Sequence, residues 1–243
     1  LRGNINLGNN NLLSGLLNLK TTQDVVLGNT SSLLIGNLSA QNAEINSAAN
    51  IVGVGVFSVS GLTTLNALAD INLTNSNNDF NQLAIKGADT ASIYDKNGFT
   101  TVGLSVVNNA ELRSAGNIIV AACVADCTNN DGIRADSLKM QSDGTISVAK
   151  NIVAAKSVDL QAQGISVNDA ITSKSIVVNA GNGKLLLNEA GTLSAQGGGS
   201  IKLSANTIEQ HSAMLSDGDI TAVATGNIVM MSRARTETQN GDI

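Results

Sequence analysis

Short alternating phrases of apolar and polar residues return along this chain about every 20 residues, and three of them fit into each interval. One series runs Ser137-Leu138-Lys139-Met140, Ser157-Val158-Asp159-Leu160, Ser175-Ile176-Val177-Val178, Ser200-Ile201-Lys202-Leu203 and Asp219-Ile220-Thr221-Ala222. Its first apolar positions are spaced by 20, 18, 25 and 19 residues. A second series carries Ile146, Ile165, Leu185, Ile208 and Ile228, and a third, shorter one carries Ile152, Ile171, Leu193 and Met214. Alternation with a period of two over a few residues marks a strand with one buried face. Strands that short cannot hide their apolar faces alone. Intervals stacked directly on one another can, because their inward side chains then form one aliphatic column. The expected fold is all-β, a right-handed parallel β-helix (β-solenoid) with three short strands per turn of about 20 residues. At ~4.8 Å per turn, 243 residues make on the order of 12 turns and a rod roughly 60 Å long.

Composition agrees. The chain has no proline, which lacks the N–H that nearly every residue of a stacked ladder must donate. Only 2% of residues are aromatic, as suits a narrow interior. Gly and Asn gather between the phrases, where corners favour residues that tolerate positive φ. A sandwich of short antiparallel strands is the competing fold, but it needs two-residue hairpin turns, and Asn-Gly pairs such as Asn97-Gly98 and Asn240-Gly241 are few. With 14 basic and 19 acidic residues and no basic stripe, the chain has little with which to neutralise phosphates, so nucleic acid is excluded as a partner. No apolar run approaches the roughly 18 residues that cross a bilayer. Residues 1–243 read as a single β-helix segment of a longer protein, with loop excursions near 75–82 and 121–136.

The first half carries the pattern more loosely, in Gly3-Asn4-Ile5-Asn6-Leu7, Gln23-Asp24-Val25-Val26-Leu27, Ala69-Asp70-Ile71-Asn72-Leu73 and Gly116-Asn117-Ile118-Ile119-Val120. These read as one phrase, and the step from Ile118 to Leu138 is again 20. Together with Gly218-Asp219-Ile220-Thr221-Ala222 and Gly226-Asn227-Ile228-Val229-Met230, they resemble the haemagglutinin repeats of two-partner-secretion exoproteins. That group includes the filamentous haemagglutinins, large adhesins and contact-dependent inhibition effectors. The passage Asn77-Asn78-Asp79-Phe80-Asn81-Gln82-Leu83-Ala84-Ile85-Lys86-Gly87 is similar to a phrase frequent there, in which the Asn-Asp-Phe element interrupts the solenoid. The resemblance covers nearly the whole chain and is weakest over residues 8–65. It implies a secreted rod at the bacterial cell surface, associated with the outer membrane and exported through a partner transporter in that membrane.

Chemistry is sparse. Parallel β-helices also host polysaccharide-cleaving enzymes, which need two carboxylates at a defined separation. The acids here are scattered, and aromatic platforms for sugars are almost missing, so no catalytic residue, cofactor or metal site is expected. His211, the only histidine, reads as an exposed corner residue. Asp95-Lys96-Asn97-Gly98 and Asp217-Gly218-Asp219 are fragments of calcium-loop patterns that do not continue, and they read as turns. Cys123 and Cys127 lack a second pair or a nearby His for zinc. In a secreted rod they would close a small disulfide loop on a bulging corner; two separate reduced thiols are the alternative.

If the body of the rod is passive, contacts belong to the places that depart from it. Those are Asn78, Asp79 and Phe80 in the first excursion, Asp131 and Arg134 in the second, and Arg233 and Arg235 near the end, where Ala234 and Thr236 would point inward. The expected function is a structural and adhesive rod segment that attaches to cells, matrix or polysaccharide. Its partners would be a host-cell or bacterial surface glycan or receptor, or a matrix polysaccharide. A discrete glycan- or receptor-recognition module is the alternative, and a polysaccharide-cleaving enzyme a more distant one.

Overall fold

The computed structural model describes residues 3–122 and 132–243. Among the described residues there are 27 strands and no helix, and the strands pair in parallel into one continuous ladder. The chain winds as a β-solenoid of about 11 turns of roughly 20 residues.

Register reveals three faces. On the first, Leu27, Ile45, Leu65, Ile85, Leu104, Ile133, Ile152, Ile171, Leu193 and Met214 lie one above another. On the second, Leu33, Ile51, Ile71, Ala91, Ala110, Leu138, Val158, Ile176, Ile201 and Ile220 do the same. The third carries Ile118, Ile146, Ile165, Leu185 and Ile208, preceded by Phe99. These side chains are buried and merge into a single core cluster. Each large aliphatic so covered contributes roughly 1.5–3 kcal/mol relative to exposure, which offsets the entropy of ordering so short a strand. All three phenylalanines are inside. Phe57 and Phe80 meet with ring centroids 6.2 Å apart.

Of the polar side chains buried among the apolar ones, Asn78, Asp95 and Gln210 each close a corner from within. Asn78 accepts the Phe57 N–H at 2.9 Å and donates to the Leu73 and Tyr94 carbonyls at 2.9 and 3.2 Å. Asp95 accepts the N–H groups of Phe80, Asn97 and Gly98 at 2.8, 2.9 and 2.6 Å. Gln210 donates to the Ser212 and Arg235 carbonyls at 2.9 and 3.0 Å and accepts the Thr236 hydroxyl. A buried backbone group left unmet costs free energy, so these side chains satisfy the ladder where it bends.

Four sequence expectations need correction. The first excursion is confined to residues 74–78, because the strand Asp79–Gly87 runs through the rest of it. In the second, Ile133–Ser142 is a strand that joins the first face to the second; residues 123–131, with Cys123, Cys127 and Asp131, lie outside the described residues. Ile118 stacks on Ile146, not Leu138, because the intervening chain delays the next turn. The shared phrase therefore marks the entry from corner to strand without fixing the face: Leu7 of the first copy stacks on Leu27 of the first face, Ile71 lies on the second and Ile118 on the third. Corner glycines also owe less to positive φ than expected. Gly98 has φ +117°, but a Cβ on Gly199 would stand 1.4 Å from the Lys174 carbonyl oxygen, and one on Gly183 1.6 Å from that of Gln163. At those corners stacked backbones approach too closely for any side chain.

Candidate functional site

Alternation that sends Leu138, Val158 and Ile176 inward sends their neighbours out in matching register. Along the second face one outward column is Tyr94, Arg113, Gln141, Gln161 and Asn179. Beside it runs Ser92, Glu111, Lys139, Asp159 and Val177. Parallel stacking at ~4.8 Å per rung makes each column a ladder of functional groups parallel to the rod axis.

The first column borders a groove of about 220 Å³, lined also by Ser142, Asp143, Ala162, Gln163 and Gly181 at the following corner. The Gln141 amide donates to Gln161 Oε1 at 3.1 Å, and the Gln161 amide donates to both Asp159 carboxylate oxygens at 3.1–3.2 Å. The Asn179 Oδ1 accepts the Gly181 N–H at 2.9 Å, which fixes the orientation of its amide. Arg113 lies over the Tyr94 ring, 5.6 Å from guanidinium carbon to centroid, a cation–π contact that holds the cation at the groove mouth. Among the described residues Arg113 forms no ion pair. The groove therefore presents a held cation, oriented amides and one carboxylate, Asp143, among its described lining residues. Such groups recognise hydroxyl and carbonyl patterns.

The residues singled out from sequence are not gathered into one site. Asn78 and Phe80 are 0% and 1% exposed, and their groups are used inside the rod, so neither can touch a partner. Asp79 is on the surface, bridged to Lys96 at 2.9 Å and accepting from Asn97 at 3.1 Å. Its hydrogen bond from Lys96 holds the carboxyl below the usual range. Arg134 points outward on the first face, beside a groove of about 350 Å³ that includes Val106, Val107 and Asp136. Arg235 forms a bidentate pair with Glu237, while Arg233 sits in the exposed turn before it. Arg134 and Glu237 share one outward column through Val153, Thr172, Ser194 and Leu215. Five rungs at ~4.8 Å put them roughly 24 Å apart.

His211 does lie at a corner, between the strands Thr207–Gln210 and Ala213–Ser216, but it is half-buried rather than exposed. Its Nε2 meets Glu209 Oε1 at 2.6 Å, and Lys184 approaches the other oxygen of that carboxylate. The Lys184 hydrogen bond, then that of His211, holds the Glu209 carboxyl below its ordinary value. Among the described residues no group of three or more His, Cys, Asp or Glu side chains could hold a metal ion. Among the described residues no helix is long and apolar enough to cross a membrane.

The second-face columns went unread in the sequence, though their signal is there. Lys139 and Gln141, Asp159 and Gln161, Val177 and Asn179 each follow the same phrase start by two and four residues. Reading outward positions in register finds them.

Residues 22–85, 64 of the 243, match a family model described as repeats of unknown function (DUF5649). The matched stretch lies largely where the repeat is hardest to see by eye. No match is found among curated proteins or among solved structures.

Proposed function

We propose that this chain is a structural and adhesive rod segment of a secreted bacterial surface exoprotein of the two-partner-secretion, filamentous-haemagglutinin-like type. The observation that carries the reading is the use of the interior. Stacked aliphatic columns fill it from rung to rung, so chemistry with partners is left to flat outer walls. Eleven rungs at ~4.8 Å make a rod of roughly 50 Å, stiff because each rung is bonded to the next along the axis. Length and polar faces suit a protein that holds a contact away from a cell. The partners on this reading are a surface glycan or receptor or a matrix polysaccharide, with an outer-membrane transporter during export. A binding role suits the second-face groove better than a cleaving one, since hydrolysis needs two facing carboxylates and Asp143 is the one among its described lining residues.

The test is retention under flow. Beads coated with the purified chain are passed over epithelial cells and over immobilised polysaccharide. Saturable retention, competed by soluble chain, is expected; no retention on any surface refutes adhesion.

A further inference from the structure

We infer that the second-face groove binds a linear, neutral, hydroxyl-rich glycan laid along the rod axis, with Arg113, Gln141 and Asp143 as its principal contacts. The inference rests on the adhesive reading above and names the site and the ligand chemistry for it. Its basis is the hydrogen-bond polarity of the column. Gln141 spends an amide hydrogen on Gln161, whose own amide is committed to Asp159. Gln141 lines the groove, and its Oε1 accepts no hydrogen bond from the described residues. One rung away, the Arg113 guanidinium is held on Tyr94 with its donors uncommitted to any carboxylate. A donor and an acceptor one rung apart match neighbouring hydroxyls on a sugar ring, each of which accepts one bond and donates another. Asp143 at the corner adds an acceptor for a further hydroxyl.

Geometry selects the chain direction. Arg113, Gln141, Gln161 and Asn179 repeat once per rung, so the column spans roughly 14 Å at ~4.8 Å spacing. A pyranose unit is about as long as a rung, and successive sugars then meet successive rungs. A peptide is disfavoured: the strands beneath the groove are paired on both sides, leaving no edge for strand addition, and the walls offer no apolar pocket for an anchor side chain. Charge selects a neutral chain, because Asp143 and Asp159 offset Arg113 around the groove and the protein is acidic, with a formal net charge of −5. A single groove of this kind binds weakly, and repetition along a longer rod or on a surface supplies avidity.

Calorimetric titration with cellohexaose and with a β-1,4-mannuronate hexamer tests the assignment. The neutral hexamer is expected to bind saturably and more tightly than the acidic one. Arg113→Ala, which removes charge-assisted hydrogen bonds, is expected to weaken it about tenfold, and Gln141→Ala by several-fold. Both positions face solvent, so unchanged circular dichroism and melting confirm that the rod is intact. The proposal is overturned if neither hexamer saturates, if both variants bind as well as the parent chain, or if the mannuronate binds more tightly. Bead retention in the absence of hexamer binding removes the groove assignment and leaves adhesion standing; loss of both removes both.

Discussion

Replacing Asn78 with Ala isolates one polar device that sets the solenoid's register. Its side chain satisfies three backbone groups in one step: the Phe57 N–H, 2.9 Å away, and the carbonyls of Leu73 and Tyr94 at 2.9 and 3.2 Å. The site is fully buried, so water does not replace the amide without rearrangement. An orphaned buried N–H costs about 1–3 kcal/mol, and the two carbonyls add less because each keeps a second lone pair; a total of about 3 kcal/mol follows. In a stacked rod this loss is local, since each rung touches only its neighbours. Hydrogen exchange followed by NMR reads it directly. The Phe57 amide is expected to exchange about 100-fold faster, the factor that ~3 kcal/mol implies, while amides around Val178, several rungs away, keep their protection. Unchanged exchange at Phe57, or uniform acceleration along the whole rod, would refute the reasoning.

Leu193→Ala truncates a fully buried side chain stacked between Ile171 and Met214, and denaturant unfolding should show a loss of about 2–5 kcal/mol. Gly199→Ala must push apart two backbones, since its Cβ would meet the Lys174 carbonyl, and limited proteolysis should then open the corner around residues 196–199. Glu209 and Asp79 have carboxyls held low, first by Lys184 and Lys96 respectively, so their contribution is present above the ordinary carboxylate pKa and is lost as pH falls through the lowered one. Carboxyl NMR titration should place both midpoints below reference values, and Lys184→Ala and Lys96→Ala should each move the matching midpoint up; an unmoved midpoint contradicts the pairing.

Much of the architecture is legible in the residues because a parallel stack repeats its burial pattern every turn. The spacing of Leu138, Val158, Ile176, Ile201 and Ile220 is the register of the second face, residue for residue. The series through Ile146 and Ile152 give the third and first faces in the same way. Where turns vary in length, legibility fails: Ile118 has the same local phrase as other strand starts, and only the register assigns its face. The surface was harder to read for a different reason. Phe80 and Asn78 stand out in the sequence because they break the aliphatic pattern, yet they break it to fill and close the interior. The groove on the second face is built from ordinary Gln, Asn and Arg residues at ordinary spacing, and it exists only once four turns are stacked.

Distances between spin labels along one outward column test the stacking itself. With Cys123→Ser and Cys127→Ser as background, one label goes at Asn72 and a second at Val177, Lys202 or Thr221, positions that register places five, six and seven rungs away. Double electron–electron resonance should give distances that lengthen by one rung, ~4.8 Å, from each pair to the next, near roughly 24, 29 and 34 Å apart from a common label offset. Distances that fail to climb in equal steps, or that shorten as the sequence separation grows, would contradict a parallel solenoid.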